Sequence, residues 1–208
     1  MTKLEICHLF VFVNNPEAIE QKMTALGFTE SYRRKHPGQG TENICYCFDN
    51  CYLEVLWVNN LTETRSDAVA PLQFDQRGFG KGNPFGIAIR DNQPFPFDHH
   101  LYHAPYFPDD FSLPYAKSSD DLTQPFLFLS PGSKRPDVWA KDKKVPLQSS
   151  FSEINKISVS GPALHGDYLK TDFQLKSSNH YQMDLTLTDK KGKDVAILSL
   201  PDFILSKI

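Results

Sequence analysis

The sequence predicts an α+β fold dominated by a mixed sheet, with a β-rich C-terminal extension. Three observations predict it. The first sixty or so residues read as strand, helix and three strands. An apolar run from Phe85 to Arg90 is a degenerate counterpart of the opening strand. Four more strand-like runs fill residues 151–208.

The opening strand runs from Ile6 to Val13, nearly all apolar, with β-branched and aromatic types. Asn14-Asn15-Pro16-Glu17 then signals a helix start. Asn15 suits the cap, Pro16 the first helical position and Glu17 the positive end of the dipole. Ile19, Met23 and Leu26 supply one apolar face, and Gly27 ends the helix. Phe28 to Lys35 reads as the second strand. His36-Pro37-Gly38-Gln39-Gly40 is a turn, because Pro and two Gly do not continue a ladder. Glu42 to Phe48 and Cys51 to Val58 make a hairpin about Asp49-Asn50.

Beyond this unit the signals weaken. Residues 59–82 read mostly as loop, with Gly78-Phe79-Gly80-Lys81-Gly82 as a flexible loop that could close over a pocket. Residues 91–125 hold many Pro, Phe and His without a helical period. Phe126 to Leu129 is a short strand. The late strands run from Ile154 to Ser160, Phe173 to Lys176, Tyr181 to Thr188 and Val195 to Leu200. Met183, Leu185 and Leu187 alternate with polar residues, as on a sheet with one solvated face.

Composition narrows the function. The 208 residues include 40% hydrophobic residues and sixteen Phe, enough for a real core. The formal net charge is −3. Arg33-Arg34-Lys35, the densest basic patch, is too short to follow a phosphate backbone, so nucleic acid is not an expected partner. No apolar run is long enough to span a membrane, and the opening run is too short for a signal segment. A cytoplasmic location follows as an expectation. Cys7, Cys45, Cys47 and Cys51 are then expected to be reduced.

Strand parity sorts the first unit into two faces. Cys7, Leu9, Val11 and Val13 form the more aliphatic set, assigned to the helix side. His8, Phe10 and Phe12 point the other way. Leu53, Val55 and Trp57 share one face, and Tyr52, Glu54 and Leu56 the opposite one. Asn43, Cys45 and Cys47 lie together. A carboxylate within an apolar strand needs a partner, because an unpaired buried charge is costly. Glu54 therefore marks a site, and His8 is a candidate to share its partner.

These residues resemble the glyoxalase-like domain family of the vicinal oxygen chelate superfamily. The resemblance rests on His8, Leu26-Gly27-Phe28, the run from His36 to Asn43, and Tyr52-Leu53-Glu54-Val55. It implies paired βαβββ units forming a curved mixed sheet, with the ligand on the concave side. The implied organisation is a paired-unit domain over 1–130, a linker or surface loop over 131–150, and a β-rich subdomain over 151–208. The resemblance also implies His8 and Glu54 as ligands for one divalent metal (Zn, Mn, Fe or Ni), with further ligands from the second unit. Here the sequence departs from the pattern: Phe85-Gly86-Ile87 and Pro125-Phe126-Leu127-Phe128 offer no donor.

The expected function is binding of a small organic molecule in a concave pocket, with metal-dependent lyase, isomerase or dioxygenase chemistry as its catalytic form. Glu54 and His36 are the candidate catalytic groups. Phe10, Phe12, Arg34, Asn43 and Tyr52 are the candidate ligand contacts. His36 titrates near neutrality and could act as a base, or it could simply hold the turn. The alternative function is a metal-free binding or drug-sequestering module of the same fold, in which His8 and Glu54 are a buried hydrogen-bonded pair. Cysteine thiolates and the His99, His100, His103 cluster are further metal-ligand candidates. Their bland readings are small buried residues and a solvated loop. A third reading gives the C-terminal strands to a partner chain, so a homodimer stays open.

Overall fold

The computed structural model describes residues 4–92, 94–164 and 173–208. The first unit comprises β1 (Ile6–Phe12), α1 (Pro16–Ala25), β2 (Tyr32–His36), β3 (Thr41–Cys47) and β4 (Tyr52–Val58). Asn15 caps α1, its side chain accepting from the Ala18 amide at 3.1 Å. Gly27 takes the left-handed conformation just past the helix, with φ of 87°. Strand β4 returns parallel to β1, setting Glu54 beside Phe10.

The second unit comprises β5 (Phe85–Ile89), β6 (His99–Tyr102), β7 (Leu113–Ala116) and β8 (Phe126–Leu129). Strand β8 is parallel to β5, as β4 is to β1. Strands β1 and β5 pair antiparallel and join the halves into one eight-stranded sheet, ordered β2-β3-β4-β1-β5-β8-β7-β6. The paired arrangement implied by the sequence is present, with one change. No helix links β5 to β6 among the described residues.

A second sheet takes over that role. It holds β9 (Ile154–Gly161), β10 (Phe173–Ser177), β11 (Gln182–Thr188), β12 (Asp194–Leu200) and β13 (Ile204–Lys207), ordered β10-β9-β11-β12-β13. One buried cluster joins Met23 of α1, Leu9 and Val11 of β1, Ile87 of β5 and Leu127 of β8 to Val159, Leu185 and Leu198 of this sheet. The outer face of the large sheet is therefore closed by α1 and by the C-terminal sheet together. The alternation of Met183, Leu185 and Leu187 has this cause: all three are fully buried, while their neighbours are mostly half-exposed.

Several boundaries differ from the sequence reading, each for a local reason. Strand β2 starts at Tyr32 rather than at Phe28. Phe28 turns into the core and stacks on Phe151 at 5.1 Å. Thr29 leaves the ladder because the Gln148 side chain bonds both of its backbone groups, at 2.9 and 2.7 Å. The expected loop over 59–82 contains α2 (Leu61–Thr64), a 3-10 turn at Ala70–Leu72 and α3 (Phe74–Gly78). Asn60 caps α2 by accepting from the Thr62 and Glu63 amides. The stretch 131–150 carries α4 (Pro136–Lys143), with Pro136 in the first helical turn.

Candidate functional site

The inner face of the large sheet bounds a cavity of about 120 Å³. Of the residues singled out from sequence, His8, Phe10, Arg34, His36, Asn43, Tyr52 and Glu54 line it. Phe12 does not. Its ring packs behind Phe10 and Phe74, at 5.5 and 5.4 Å, so its expected place in the lining is corrected to a supporting layer.

Strand pleat brings these groups together. His8 and Phe10 alternate inward on β1, Tyr52 and Glu54 on β4, and Asn43 on β3. Glu54 is 8% exposed and His8 5%. The Asn43 amide donates to Glu54 Oε1. Asn43 is itself oriented by accepting from the Arg34 backbone amide at 2.9 Å. That leaves Glu54 Oε2 toward His8 Nε2, 3.6 Å away. The separation is too long for a hydrogen bond, so both atoms can serve a third partner. His8 Nδ1 is buried without any hydrogen-bond partner among the described residues. A buried polar atom of this kind at a cavity wall is open to a hydrogen bond from whatever fills the cavity.

Burial sets the charge of these groups. It pushes the Glu54 carboxyl up to about 7, against the opposing effects of the Asn43 hydrogen bond and Arg34. It pushes His8 down to about 3, helped by Arg90 and His36. His36 falls to about 4, by burial and then by Arg34. Between about pH 3 and pH 7 the His8–Glu54 contact is thus a neutral acid beside a neutral imidazole, not an ion pair.

His36 is anchored as well as buried. Its Nδ1 lies 2.9 Å from Thr41 Oγ1, and its ring rests on Tyr106 at 5.1 Å. Gln39, which sequence reasoning left in the turn, proves to be central. Its Nε2 donates to Thr41 Oγ1 at 2.7 Å, and its Oε1 accepts from Tyr102 at 2.9 Å and Tyr106 at 3.4 Å. The β2–β3 turn of the first half is thereby bonded to β6 and the loop of the second. The turn signal was visible in sequence, but nothing local pointed to tyrosines some sixty residues away.

The remaining walls are largely aromatic. Phe126 and Phe128 of β8 face the cavity, with Phe74 and Leu72 from the segment after β4 and Phe107 from the loop after β6. The glycine-rich segment 78–82, which begins at the last residue of α3 and was expected as a loop able to close over a pocket, does not line the cavity. Gly78 packs against Val58 and Phe12 instead. His99 and His100 are away from it too: His99 Nδ1 contacts the Phe97 carbonyl and His100 Nε2 contacts Asp120.

The donor set does not fit a chelated metal. His8 and Glu54 offer two ligands, while β5 and β8 turn Gly86, Phe126 and Phe128 to the same side. Among the described residues no group of three or more His, Cys, Asp or Glu is placed to hold an ion. Cys45, Cys47 and Cys51 do not line the cavity, so their thiols do not complete the set there.

Sequence comparison now bears on this geometry. Residues 6–101 match the glyoxalase-like domain family. The matched stretch runs from β1 into β6. No curated protein matches the sequence significantly. Among solved structures, a hypothetical protein from Staphylococcus aureus aligns with a TM-score of 0.50 and 12% identity, over 86% of this chain and 88% of that one. That likeness shows a shared fold. A triple mutant of 4-hydroxymandelate synthase from Streptomyces coelicolor aligns with a TM-score of 0.44 and 12% identity, over 92% of this chain and 61% of that one. Among the described residues, no helix is long and apolar enough to cross a membrane.

Proposed function

We propose that the chain binds a small aromatic molecule in this cavity without a metal, and that Glu54 exchanges a proton with it. The observation that carries the reading is the buried polar cluster itself. Among the described residues, His8 Nδ1 has no hydrogen-bond partner and Glu54 Oε2 stands 3.6 Å from His8 Nε2, inside walls that are largely aromatic. A ligand hydroxyl or carbonyl would satisfy them, while its ring stacks among Phe10, Phe126 and Phe128.

The roles follow from the chemistry of each group. Asn43 fixes the Glu54 carboxyl in one orientation. A carboxyl held near pH 7 is present in both forms at neutrality, which suits a general acid or base. His8, kept neutral, offers one donor and one acceptor. His36 is also neutral and tied to Thr41, so it reads as a second polar wall beside the Gln39 bridge. Arg34, exposed at the cavity, is placed to meet an anionic substituent.

Ligand-observed NMR with catechol and benzyl alcohol tests the reading. Both fragments are expected to bind, and Glu54→Gln is expected to weaken catechol most. If no aromatic fragment binds, the reading falls. Metal analysis of the untagged protein after equilibration with Zn²⁺, Mn²⁺ and Ni²⁺ supplies the second arm. A stoichiometric ion that is lost in Glu54→Ala would replace the metal-free reading with a metal-dependent one.

A further inference from the structure

Beside the cavity lies a second, larger groove of about 660 Å³. Its floor and walls include Arg33, Arg34, Lys134 and Lys143, the Ser130–Lys134 loop, and Trp139 of α4. Among the described residues, no acidic one lines it. That is notable in a chain of net charge −3. Arg33 is already neutralised by Glu20 and Glu30. Arg34, Lys134 and Lys143 form no ion pair among the described residues. Arg34 lies over the Tyr32 ring at 5.6 Å and Lys143 over the Trp139 ring at 5.5 Å. Aromatic faces hold cations in place without cancelling their charge.

The groove and the cavity share a wall. Tyr32, Arg34, Tyr52 and Pro131 line both. An aromatic path runs from one to the other: Trp139 to Tyr32 at 6.2 Å, Tyr32 to Tyr52 at 6.2 Å, and Tyr52 stacked on His8 at 4.4 Å. Arg34 stands on the shared wall, and Lys134 and Lys143 lie on the groove side of it.

We propose that this groove is an anion-binding annex. It takes the oxyanion arm, phosphate or carboxylate, of a two-part ligand whose aromatic head sits in the cavity. The proposal rests on the cavity reading for the head but not for the groove. Three cations without a carboxylate suit a doubly charged arm better than a single charge. Ser130 and Ser133 add hydroxyl donors on the facing loop. One side of the annex, α4 and its preceding loop, lies outside the residues 6–101 that match the family, while Tyr32, Arg33 and Arg34 on the other side lie within them.

The test compares four probes by calorimetry on the full chain: benzyl alcohol, phenylacetate, benzyl phosphate and inorganic phosphate. The wild type is set beside a Lys134→Gln/Lys143→Gln variant, whose changes are exposed and outside the cavity. The charged arm is expected to tighten binding about tenfold or more over benzyl alcohol, with most of that gain lost in the variant and in high salt. A larger gain for benzyl phosphate assigns a phosphate arm, and a larger gain for phenylacetate assigns a carboxylate arm. Equal affinities for all aromatic probes, unchanged in the variant, overturn the annex and leave the cavity reading standing. Lysine-dependent binding of inorganic phosphate with no binding of benzyl alcohol keeps the annex and removes the cavity reading.

Discussion

The two halves of the large sheet share one topology and divide the labour. The first half keeps its helix on the outer face and turns His8, Asn43 and Glu54 inward. The second half has no helix between β5 and β6 among the described residues, borrows its outer cover from the C-terminal sheet, and turns Gly86, Phe126 and Phe128 inward. Polar chemistry sits on one side of the seam and apolar shape on the other. A metal centre needs donors from both sides. A binding pocket needs one polar wall and one apolar wall, and that is what the division supplies.

If the C-terminal sheet does for the second half what α1 does for the first, truncating either cover should damage the whole domain. Met23 and Leu185 are both fully buried. Met23→Ala and Leu185→Ala are each expected to cost about 2–5 kcal/mol in denaturant unfolding, with one cooperative transition. A Leu185→Ala protein that unfolds in two steps, keeping its cavity intact after the first, would make the C-terminal sheet a separate domain and break the comparison.

The same division explains what could be read from the sequence. The first half was legible because three of its four strands are seven residues long, long enough for parity alone to put His8, Asn43 and Glu54 on one face. Glu54 stood out as a carboxylate among apolar neighbours. The second half was faint because β6, β7 and β8 have only four residues each, and β6 buries just Tyr102 among them. Its missing helix could not be inferred locally, since the replacement comes from strands at least some sixty-five residues downstream of β5. The Gln39 bridge to Tyr102 and Tyr106 was hidden for the same reason. Phe12 shared the inward parity, yet parity names a face and not the depth at which α3 covers it.

The polar wall can be probed through pH. Glu54 binds its proton more tightly in the folded chain, at about 7, than at its ordinary value near 4.5. Its contribution to stability is therefore fully present below 4.5 and is lost as pH rises to 7, by up to about 3 kcal/mol. His8 and His36 act in the opposite sense. Their lowered values make stability rise from about 3 and 4 toward their ordinary 6.5. Wild-type stability therefore mixes both trends. Glu54→Gln removes one of them, so the difference between variant and wild type should climb in the variant's favour from pH 4.5 to 7 and then level off. A difference that stays flat across that window in thermal melts would show that Glu54 is not held protonated.

The seam between the halves allows a close-packing test. Gly86 of β5 sits under Phe10 of β1, and a Cβ there would come within 2.0 Å of the ring. Gly86→Ala is expected to destabilise by about 1–3 kcal/mol through overpacking. The same change in a Phe10→Leu background should cost clearly less, because the two residues are coupled by contact. Additive losses in the double mutant would mean that the ring does not rest on the glycine.

The smallest effect is expected at Phe12, and it sharpens the line between wall and support. Phe10 and Phe12 share a strand face and both pack near Phe74, but only Phe10 lines the cavity. Phe12→Leu should cost on the order of 1 kcal/mol of stability, as a partly refilled core change does. It should leave the affinity for benzyl alcohol or catechol within about twofold, because no atom of the cavity wall is removed. Phe10→Leu takes an aromatic face out of the wall and should weaken both fragments. Equal losses of affinity at the two positions would place Phe12 in the ligand's reach after all, and would mean that the cavity opens deeper along β1 than its empty shape suggests.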